Sequence, residues 1–263
     1  MILLGKPVRE KILENIKKDI LGNGLKPALA VVLVGSDPAS LSYIKVKEKV
    51  ALGLGIEFHL YKFESNASEQ EIVECIEFLN TDVETSGIIV QLPLPAGMDT
   101  NKILHTVIKQ KDVDGFLGEF SPPTVLSILE ILKFYDILLE NKNIVLVGHG
   151  ELVGKPLEKE LVKMGLSPIV CDSETKDIKE KIAAGDIIIS ATGVNGLITE
   201  DMVQSNAVVI DAGTAEANGK MTGDITPEVQ AKVASYSPVP GGVGPVTVAM
   251  LMKNVVEAAE RQK

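Results

Sequence analysis

The sequence of 263 residues lacks several features that identify particular classes of protein. It has no tryptophan, and aromatic residues make up only 4% of the chain, so its cores must be built from aliphatic side chains. Its two cysteines, Cys75 and Cys171, fit no metal-binding spacing and indicate buried thiols in a reducing compartment. It contains neither an apolar run of about 18 residues nor a signal-peptide pattern. We therefore expect a soluble, cytoplasmic protein that holds no metal.

Positive charge is scarce as well. Lysine and arginine together number 26, against 36 aspartate and glutamate residues, which gives a formal net charge of −10. Because this surplus repels phosphate-rich polymers and anionic lipid surfaces, we expect neither nucleic acid nor a membrane as the main partner. Hydrophobic residues form 45% of the chain, which is enough for buried cores, and the length suits two domains.

The most informative stretch is 144–156, where a short apolar run leads into a cluster of glycines. The run predicts a buried strand, and the apolar spacing after the cluster predicts a helix. Gly148, Gly150 and Gly154 allow a backbone to approach a ligand closely, and the start of a helix attracts an anion such as pyrophosphate. Their spacing is one residue longer than the usual dinucleotide-binding pattern, so an ordinary strand–helix turn fits this stretch equally well.

A second strand strengthens the nucleotide interpretation. The predicted strand at 168–171 ends at Asp172, 22 residues after Gly150. In dinucleotide-binding folds, an acidic residue about 20 positions after the glycine turn accepts a hydrogen bond from the ribose 2′-hydroxyl. Two more predicted strands, at 187–193 and 207–213, also run into glycines. The alternation of strands and helices predicts a Rossmann-like parallel sheet that binds ligands at the carboxyl ends of its strands.

The first half of the chain predicts an α/β domain of its own. Apolar residues recur every four positions over 8–20, which predicts an amphipathic helix, and 28–35 predicts a buried strand. Asp37 and Pro38 predict the start of a second helix, and 68–71 has the capping-box pattern of a third. Strands and helices continue to alternate up to a polar turn that ends near residue 115.

The fold class that follows is α/β with two domains. We expect an N-terminal α/β domain of residues 1–121 plus 245–263, to which the final helix at 246–259 returns. Residues 122–244 are expected to form the Rossmann-like nucleotide domain with its parallel sheet. Two hinge helices are expected to link the domains around a cleft.

Five polar residues of the first half are candidates for catalysis. Tyr43 and Lys47 lie four positions apart and share one face of a predicted helix. Gln91 ends a predicted buried strand, and Asp112 and Asp114 flank a valine in the polar turn. Considered singly, such a lysine is more often a solvated surface charge, the amide is often satisfied by backbone, and the aspartates serve turn geometry.

Five sequence blocks occur together in one order along the chain. They are Asp-Pro-Ala-Ser-x-x-Tyr-x-x-x-Lys (37–47), Gln-Leu-Pro-Leu-Pro (91–95), Lys-Asp-Val-Asp-Gly-Phe (111–116), Gly-x-Gly-x-x-Val-Gly-x-Pro (148–156) and Pro-Val-Pro-Gly-Gly-Val-Gly-Pro-x-Thr (238–247). Over nearly its whole length, the chain therefore resembles the bifunctional methylenetetrahydrofolate dehydrogenase/methenyltetrahydrofolate cyclohydrolase (FolD) family.

The resemblance implies two reactions of one-carbon metabolism. A nicotinamide cofactor takes a hydride from 5,10-methylenetetrahydrofolate, and the resulting methenyl cation is hydrolysed to 10-formyltetrahydrofolate. It also implies that Lys47 moves protons with Gln91 as its hydrogen-bond partner, that Tyr43 packs on the folate, and that Asp114 holds the pterin. The N-terminal domain becomes the folate-binding catalytic domain, and a homodimer formed through the nucleotide domain is implied.

The strand ends and the resemblance together give two further sets of candidate residues. The cofactor-binding set is Gly148, His149, Gly150, Val153, Gly154, Asp172, Ala191, Thr192, Gly193, Asp211 and Gly213. The set for the small-molecule folate substrate is Tyr43, Leu92, Pro93, Asp114, Pro240, Gly241 and Gly242.

The chain departs from the family pattern at the cofactor turn. Where the family usually has Gly-Arg-Ser, this chain has Gly148-His149-Gly150, and Asp172 stands where a histidine is common. Both changes remove contacts expected for the 2′-phosphate of NADP, and Asp172 repels one, so the residue chemistry favours NAD whereas the family habit favours NADP. The segment after Phe116 is also shorter than in the family, which affects the expected hinge and the edge of the folate site.

Three alternative functions are compatible with parts of this pattern. A dehydrogenase with weak cyclohydrolase activity is disfavoured because Tyr43, Lys47 and Gln91 are all present. The same residues disfavour a nucleotide-binding regulatory module that has lost catalysis. A shikimate-type or amino-acid dehydrogenase of similar architecture is disfavoured by the block at 238–247.

Overall fold

The computed structural model describes residues 1–217 and 220–263. Within these residues, no helix is long and apolar enough to cross a membrane, and no three His, Cys, Asp or Glu side chains are grouped as metal ligands. Cys171 is buried but Cys75 is only partly buried, so the expectation of two buried thiols is correct for Cys171 and wrong for Cys75.

The chain divides into two compact units. The first unit comprises residues 11–123 and 248–263, and the second unit comprises residues 1–10 and 124–247. Both internal boundaries lie within three residues of those expected from the sequence. The first ten residues group with the second unit, whereas the sequence-based division placed them in the N-terminal domain.

Helices and strands alternate along most of the chain. The helices are α1 (Gly5–Asn23), α2 (Pro38–Leu54), α3 (Glu69–Thr81), α4 (Thr100–Thr106), α5 (Pro123–Phe134), α6 (Gly154–Lys163), α7 (Ile178–Ala183), α8 (Pro227–Lys232) and α9 (Val243–Arg261). The strands are β1 (Ala28–Val34), β2 (Glu57–Phe63), β3 (Gly87–Val90), β4 (Ile144–Val147), β5 (Ile169–Cys171), β6 (Ile187–Ser190), β7 (Val208–Asp211), β8 (Ala215–Ala217), β9 (Lys220–Thr222) and β10 (Ser235–Tyr236). Short 3₁₀ turns are formed by Lys109–Lys111 and Glu200–Met202.

The first unit is built on a three-stranded parallel sheet in the order β2-β1-β3. Every residue of β1 and β3 is buried, as expected for parallel strands that are covered on both faces. Val32 and Ile88 of these strands belong to one hydrophobic cluster with Ile72, Ile76 and Leu79 of α3. The predicted strands and helices of this half are confirmed.

The helix starts in the first unit follow from local chemistry. The Asp37 carboxylate accepts a hydrogen bond of 2.8 Å from the Ser40 amide at the start of α2. At the start of α3, the Ser68 hydroxyl accepts from the Glu71 amide while the Glu71 carboxylate accepts from the Ser68 amide. Both predicted caps are therefore confirmed.

The second unit contains a five-stranded parallel sheet in the order β10-β7-β6-β4-β5. The chain moves outward in one direction from β4 to β5 and in the other direction from β4 through β6, so the strand order reverses between β4 and β6. Open parallel sheets bind ligands beyond the carboxyl ends of the strands at such a reversal. The predicted Rossmann-like sheet is confirmed; the antiparallel pair β8 and β9 was not predicted.

The amino-terminal residues add to the edge of this second sheet. Ile2 forms a parallel bridge with Tyr236 of β10, and the Leu3 amide donates to the Tyr236 carbonyl at 2.8 Å. The Gly5 amide then donates to the Gly241 carbonyl at 2.8 Å. These backbone bonds explain why the first ten residues belong to the second unit.

Gly5 should be sensitive to the smallest possible enlargement. A Cβ at this position would lie 1.9 Å from the Gly242 carbonyl oxygen, which is backbone and has little freedom to move. We expect Gly5→Ala to lower the free energy of unfolding by about 1 to 3 kcal/mol, the usual range for overpacking. The measurement is denaturant unfolding of wild type and variant.

Gly22→Ala is the matched control on the same helix. A Cβ at Gly22 would meet nothing within 4 Å, so this substitution should be neutral or stabilise the helix by up to about 1 kcal/mol. Equal unfolding midpoints for the two variants would contradict the packing argument.

Candidate active site

Two polar side chains, one from the same helix and one distant in sequence, lie against the side chain of Lys47. Lys47 lies on α2 and is only 5% exposed, and its Nζ donates a hydrogen bond of 3.0 Å to Oε1 of Gln91. Gln91 follows β3 directly, and its backbone amide donates to the Val32 carbonyl of β1 at 2.8 Å. Lys47 Nζ also lies 4.7 Å from the centroid of the Tyr43 ring. The interpretation of Lys47 as a solvated surface lysine is therefore wrong.

Burial changes the proton affinities in this cluster. Desolvation holds the pKa of Lys47 below its usual value, and the negative charge of Asp114 partly opposes this shift. Desolvation also raises the pKa of Asp114, with Lys47 opposing the shift. The pKa of Tyr43 is raised to about 12, first by burial and then by the charge of Asp114. Because its pKa is lowered, the Lys47 amine gives up its proton more readily than an exposed lysine does.

The turn that carries Asp114 is held by its neighbour Asp112. Asp112 is 3% exposed; its Oδ1 accepts from the Gly115 amide at 3.2 Å and its Oδ2 accepts from the Leu117 amide at 2.6 Å. Burial raises the pKa of Asp112 to about 6. Gly115 has a φ of 81°, and a Cβ there would lie 2.7 Å from the Pro122 nitrogen, so the turn requires glycine. Asp112 thus serves the turn, as its default interpretation predicted.

Two further side chains fix the ends of this segment. The Lys111 ammonium donates to the carbonyls of Leu79 and Asp82, at 2.8 and 2.6 Å, at the end of α3. Asn254 of α9 donates to the carbonyls of Val113 and Ser121 from its Nδ2, at 2.9 and 3.1 Å. The final helix therefore ties down both ends of the short segment around Phe116, and no sequence motif marks Asn254 for this role.

The segment after Gln91 is open to solvent. The Gln91 Nε2 donates to the Leu92 carbonyl at 2.7 Å, which orients the amide so that its oxygen faces Lys47. Leu92 is half-buried and Pro93 is exposed. Both predicted substrate contacts therefore have surface available for a ligand.

In the second unit, the glycine turn after β4 packs as closely as its sequence predicts. Gly148 has a φ of 97°, and a Cβ there would lie 2.7 Å from the Ala191 carbonyl oxygen. A Cβ at Gly154, the first residue of α6, would lie 2.2 Å from the Gly148 carbonyl oxygen. Gly150 is different, because a Cβ there meets nothing within 4 Å, so open space surrounds this glycine.

The amino end of α6 is available to an anion. Val153 precedes the helix, and within the described residues no side chain caps its amide groups. Such groups bind phosphate oxygens together with the helix dipole. His149 lies beside this end, but its Nε2 is 2.7 Å from Oε2 of Glu158. Sequence reasoning selected His149 and missed Glu158.

Asp172 lies where a ribose contact is expected. It is exposed at the end of β5, and its Oδ1 accepts from the Glu174 amide at 3.0 Å and the Thr175 hydroxyl at 2.9 Å. These bonds, the Thr175 hydroxyl first, hold the pKa of Asp172 below its usual value. Asp172 is therefore a carboxylate at neutral pH, as recognition of a ribose hydroxyl requires.

The loops after β6 and β7 contain the remaining predicted cofactor residues. Ala191, Thr192 and Gly193 follow β6 and are partly or fully exposed. Asp211 ends β7 and is 1% exposed; its Oδ1 accepts from the Gly213 amide at 3.0 Å and its Oδ2 accepts from the Ile225 amide at 3.1 Å. Burial raises the pKa of Asp211 to about 6. The buried Asp211 side chain therefore lies beneath the loops that follow β6 and β7.

The proline–glycine segment forms a tight turn before α9. The Gly242 amide donates to the Pro238 carbonyl at 2.7 Å, and Gly241 has a φ of 111°. Pro240 is exposed at the tip, Gly241 is half-buried and Gly242 is buried. Of the three predicted substrate contacts, Pro240 is thus the most accessible.

Comparison with known families decides the membership of this chain. The catalytic-domain model of tetrahydrofolate dehydrogenase/cyclohydrolase matches residues 3–114, and the NAD(P)-binding-domain model of the same family matches residues 122–263. The chain belongs to the tetrahydrofolate dehydrogenase/cyclohydrolase family. The resemblance recognised from the five sequence blocks is therefore confirmed.

Individual relatives agree with this assignment over the whole chain. The bifunctional protein FolD of Methanosphaerula palustris is 42% identical over 274 residues, which cover 100% of this chain and 98% of the relative. The crystal structure of the bifunctional FolD of Campylobacter jejuni is 37% identical, with a TM-score of 0.95 over 100% of this chain and 99% of that chain. A Trypanosoma brucei FolD structure, complexed with NADP cofactor and inhibitor, is 27% identical with a TM-score of 0.93, covering 99% of this chain and 97% of that chain.

The family assignment carries the predicted activity with it. The chain is a bifunctional dehydrogenase and cyclohydrolase of tetrahydrofolate one-carbon metabolism, with a domain that binds a nicotinamide dinucleotide. The prediction of oxidation to methenyltetrahydrofolate followed by hydrolysis to 10-formyltetrahydrofolate is confirmed at this level.

Proposed function

We propose that Lys47 is the group that moves protons during hydrolysis of the methenyl cation. The observation that carries this proposal is the buried hydrogen bond of 3.0 Å between Lys47 Nζ and Gln91 Oε1. The bond fixes the amine at one place, and burial lowers its pKa toward the range in which a lysine acts as a general base. Gln91 is proposed to orient the amine and to help set that pKa.

The proposed chemistry uses both protonation states of the lysine. As the water oxygen bonds to the methenyl carbon, the neutral Nζ accepts a proton from that water. The hydroxyl of this adduct then loses its proton to solvent as its oxygen becomes the formyl carbonyl and the bond from the carbon to the ring nitrogen breaks. The formyl group remains on the other nitrogen, the Lys47 ammonium returns its proton to the nitrogen that leaves, and hydrolysis releases one proton overall. A lysine whose pKa is lowered by burial suits both steps, because its neutral form is easier to reach than that of an exposed lysine and its ammonium is a stronger acid.

The folate is proposed to bind through the remaining candidates. Tyr43 packs its ring on the substrate, and Asp114 accepts hydrogen bonds from the pterin ring and its amino group. Two short segments are also proposed to contact the substrate. One is Leu92 and Pro93, and the other is residues 240–242. In this proposal the first unit, residues 11–123 and 248–263, is the folate-binding catalytic domain, and the second unit, residues 1–10 and 124–247, is the nucleotide domain.

For the dehydrogenase step, we propose NAD as the preferred dinucleotide. The glycine turn at Gly148 and the uncapped start of α6 suit a pyrophosphate, and the bound dinucleotide supplies the hydride acceptor. The Asp172 carboxylate suits a ribose 2′-hydroxyl and repels a 2′-phosphate. Glu158 is a second carboxylate, in addition to Asp172, that disfavours a phosphate. Its Oε2 forms a hydrogen bond with Nε2 of His149.

NADP is the second candidate for the dinucleotide. The T. brucei relative whose structure contains NADP favours it, and His149 would then have to leave Glu158 to meet the phosphate.

A homodimer formed through the nucleotide domain and a cytoplasmic location complete the proposal. Val162 of α6, Met164 directly after that helix and Ile169 of the edge strand β5 are exposed apolar side chains, which supports such an interface. Sedimentation of a monomer at micromolar concentration would contradict the dimer.

The role of Lys47 predicts opposite pH shifts for two neighbouring substitutions. Gln91→Glu places a negative charge next to the ammonium and raises the pKa of Lys47, so the acid limb of the cyclohydrolase pH–rate profile should move about one unit or more toward higher pH. Asp114→Asn removes a charge that raises the pKa of Lys47, so the same limb should move toward lower pH. The measurement is kcat for methenyltetrahydrofolate hydrolysis between pH 5 and 10.

Loss of the amine itself is the reference for this experiment. Lys47→Met should lower cyclohydrolase kcat by a factor of about 10² to 10⁴, the usual contribution of a general acid–base group. Lys45→Met, on the same helix but exposed, is the matched control and should leave kcat unchanged. Shifts of equal sign in Gln91→Glu and Asp114→Asn, or an active Lys47→Met variant, would refute the assignment.

Cofactor choice predicts a specific response to loss of the Asp172 charge. Wild type should oxidise methylenetetrahydrofolate with a higher kcat/KM for NAD than for NADP, and Asp172→Ala should shift this ratio at least about tenfold toward NADP because a repelling charge is removed. Asp177→Asn removes an exposed carboxylate at the start of α7 and should leave the ratio unchanged. Preference of wild type for NADP would instead assign the phosphate to His149 or a nearby lysine.

Measuring both oxidation of methylenetetrahydrofolate and hydrolysis of methenyltetrahydrofolate separates two of the alternative functions. A dehydrogenase with weak cyclohydrolase activity would oxidise methylenetetrahydrofolate but barely hydrolyse the methenyl compound. A regulatory module would turn over neither substrate with either dinucleotide.

A further inference from the structure

Asp224 is a fully buried acidic residue that sequence reasoning did not select. It lies in the second unit shortly after β9 and is 0% exposed. Its Oδ2 accepts two hydrogen bonds, one of 2.5 Å from the Ser190 hydroxyl and one of 2.8 Å from the Thr192 amide. Ser190 is the last residue of β6, and Thr192 belongs to the loop that follows. Asp224 therefore holds this loop by its backbone.

The second oxygen of the same carboxylate rests against a glycine. Within the described residues, Asp224 Oδ1 has no hydrogen-bond partner. A Cβ added to Gly213 would lie 1.9 Å from this oxygen. The carboxylate consequently fits only because residue 213 has no side chain, and Gly213 sits in the loop after β7.

Asp211 makes the reciprocal arrangement. Its carboxylate accepts from the amides of Gly213 and Ile225, and a Cβ at Gly223 would lie 2.0 Å from its Oδ2. Each carboxylate thus occupies the space of a missing side chain on the segment that carries the other. Together they join three segments, 191–193, 212–213 and 223–225, beyond the carboxyl ends of β6 and β7.

We propose that Asp224 is a positioning residue for the dinucleotide. By fixing the Thr192 amide and the spacing to Gly213, it holds the loops after β6 and β7 in the conformation that binds the cofactor. This inference rests on the proposed function, in which those loops contact NAD or NADP. Asp224 itself is buried under the loops and acts through Thr192 and Gly213.

Three substitutions test the proposal with the whole protein. Asp224→Ala removes both hydrogen bonds and should raise the calorimetric Kd for NAD and NADP, and the dehydrogenase KM for the dinucleotide, at least tenfold. Asp224→Asn retains an oxygen at the Oδ2 position, so it should restore affinity to within about threefold of wild type. Gly213→Ala leaves the charge in place but forces the carboxylate away, and should weaken binding as Asp224→Ala does.

The coupling between Asp224 and Gly213 has a test of its own. If the added methyl group acts by displacing the carboxylate, Gly213→Ala should have little further effect in the Asp224→Ala background. Full additivity of the two losses would overturn this part of the mechanism, because it would mean that the two residues act independently.

Hydrolysis of methenyltetrahydrofolate is the internal control, since that step uses no dinucleotide. Its kcat should stay within about twofold of wild type in all variants. Asp186→Ala is the matched control at the amino end of β6, the end away from the cofactor loops, where the Asp186 carboxylate accepts from the Asn143 amide at 2.9 Å, and it should leave the dinucleotide Kd unchanged. An unchanged Kd in Asp224→Ala would overturn the proposal.

An equal loss of both activities and of thermal stability in Asp224→Ala and Asp224→Asn would also overturn it, because Asp224 would then serve folding alone. Failure of the proposed function gives a different result: wild type itself would bind neither NAD nor NADP. Failure of the positioning role leaves wild-type binding intact.

Discussion

The covering of parallel strands on both faces is the constraint on which both units depend. The strands β1, β3, β4 and β6 are buried throughout, so no polar ligand-binding group can project from their middle. Polar chemistry begins at the first residue that leaves the sheet. Gln91 follows β3, Gly148 follows β4, and the loop containing Thr192 follows β6. The same rule of sheet geometry therefore locates the lysine cluster of one unit and the glycine turn of the other.

Burial gives these strand ends their chemical properties. Away from water, the Lys47 amine has a lowered pKa and donates to Gln91 in a defined direction. Asp112 and Asp224 are likewise buried, and they use their oxygens on backbone amides of neighbouring loops. A charge-assisted bond to a backbone amide is stronger than a neutral one and fixes the course of a loop. Burial thus lowers the pKa of the Lys47 amine in the first unit, and hydrogen bonds to buried carboxylates fix turns within each unit.

The sequence predicts local features well and long-range pairs poorly. Caps at Asp37 and Ser68, the buried strands and the glycine turn at Gly148 depend on a few neighbouring residues, and all of them are confirmed. Asp224 gave no local signal, because its partner Ser190 is 34 positions away and an aspartate after a glycine resembles any polar turn. The packing requirement at Gly5 also gave no local signal, because only the folded chain brings this residue against the Gly242 carbonyl. Lys47 was noted from its position on a helical face, but only the family pattern favoured a catalytic role over a solvated charge, because its burial is a tertiary property.

The buried carboxylates show that these loop conformations are retained at a cost in stability. The pKa values of Asp112 and Asp211 are each raised to about 6 in the folded state, so folding favours their protonated forms. Their stabilising contribution is present below the unfolded pKa of about 4 and is lost as the pH rises through about 6. At neutral pH each carboxylate therefore lowers the free energy of unfolding by roughly 3 kcal/mol relative to its protonated form. Amide donors to both side chains limit this loss. The loops beside the lysine cluster and beneath the dinucleotide residues are thus held by charges that a purely stabilising core would exclude.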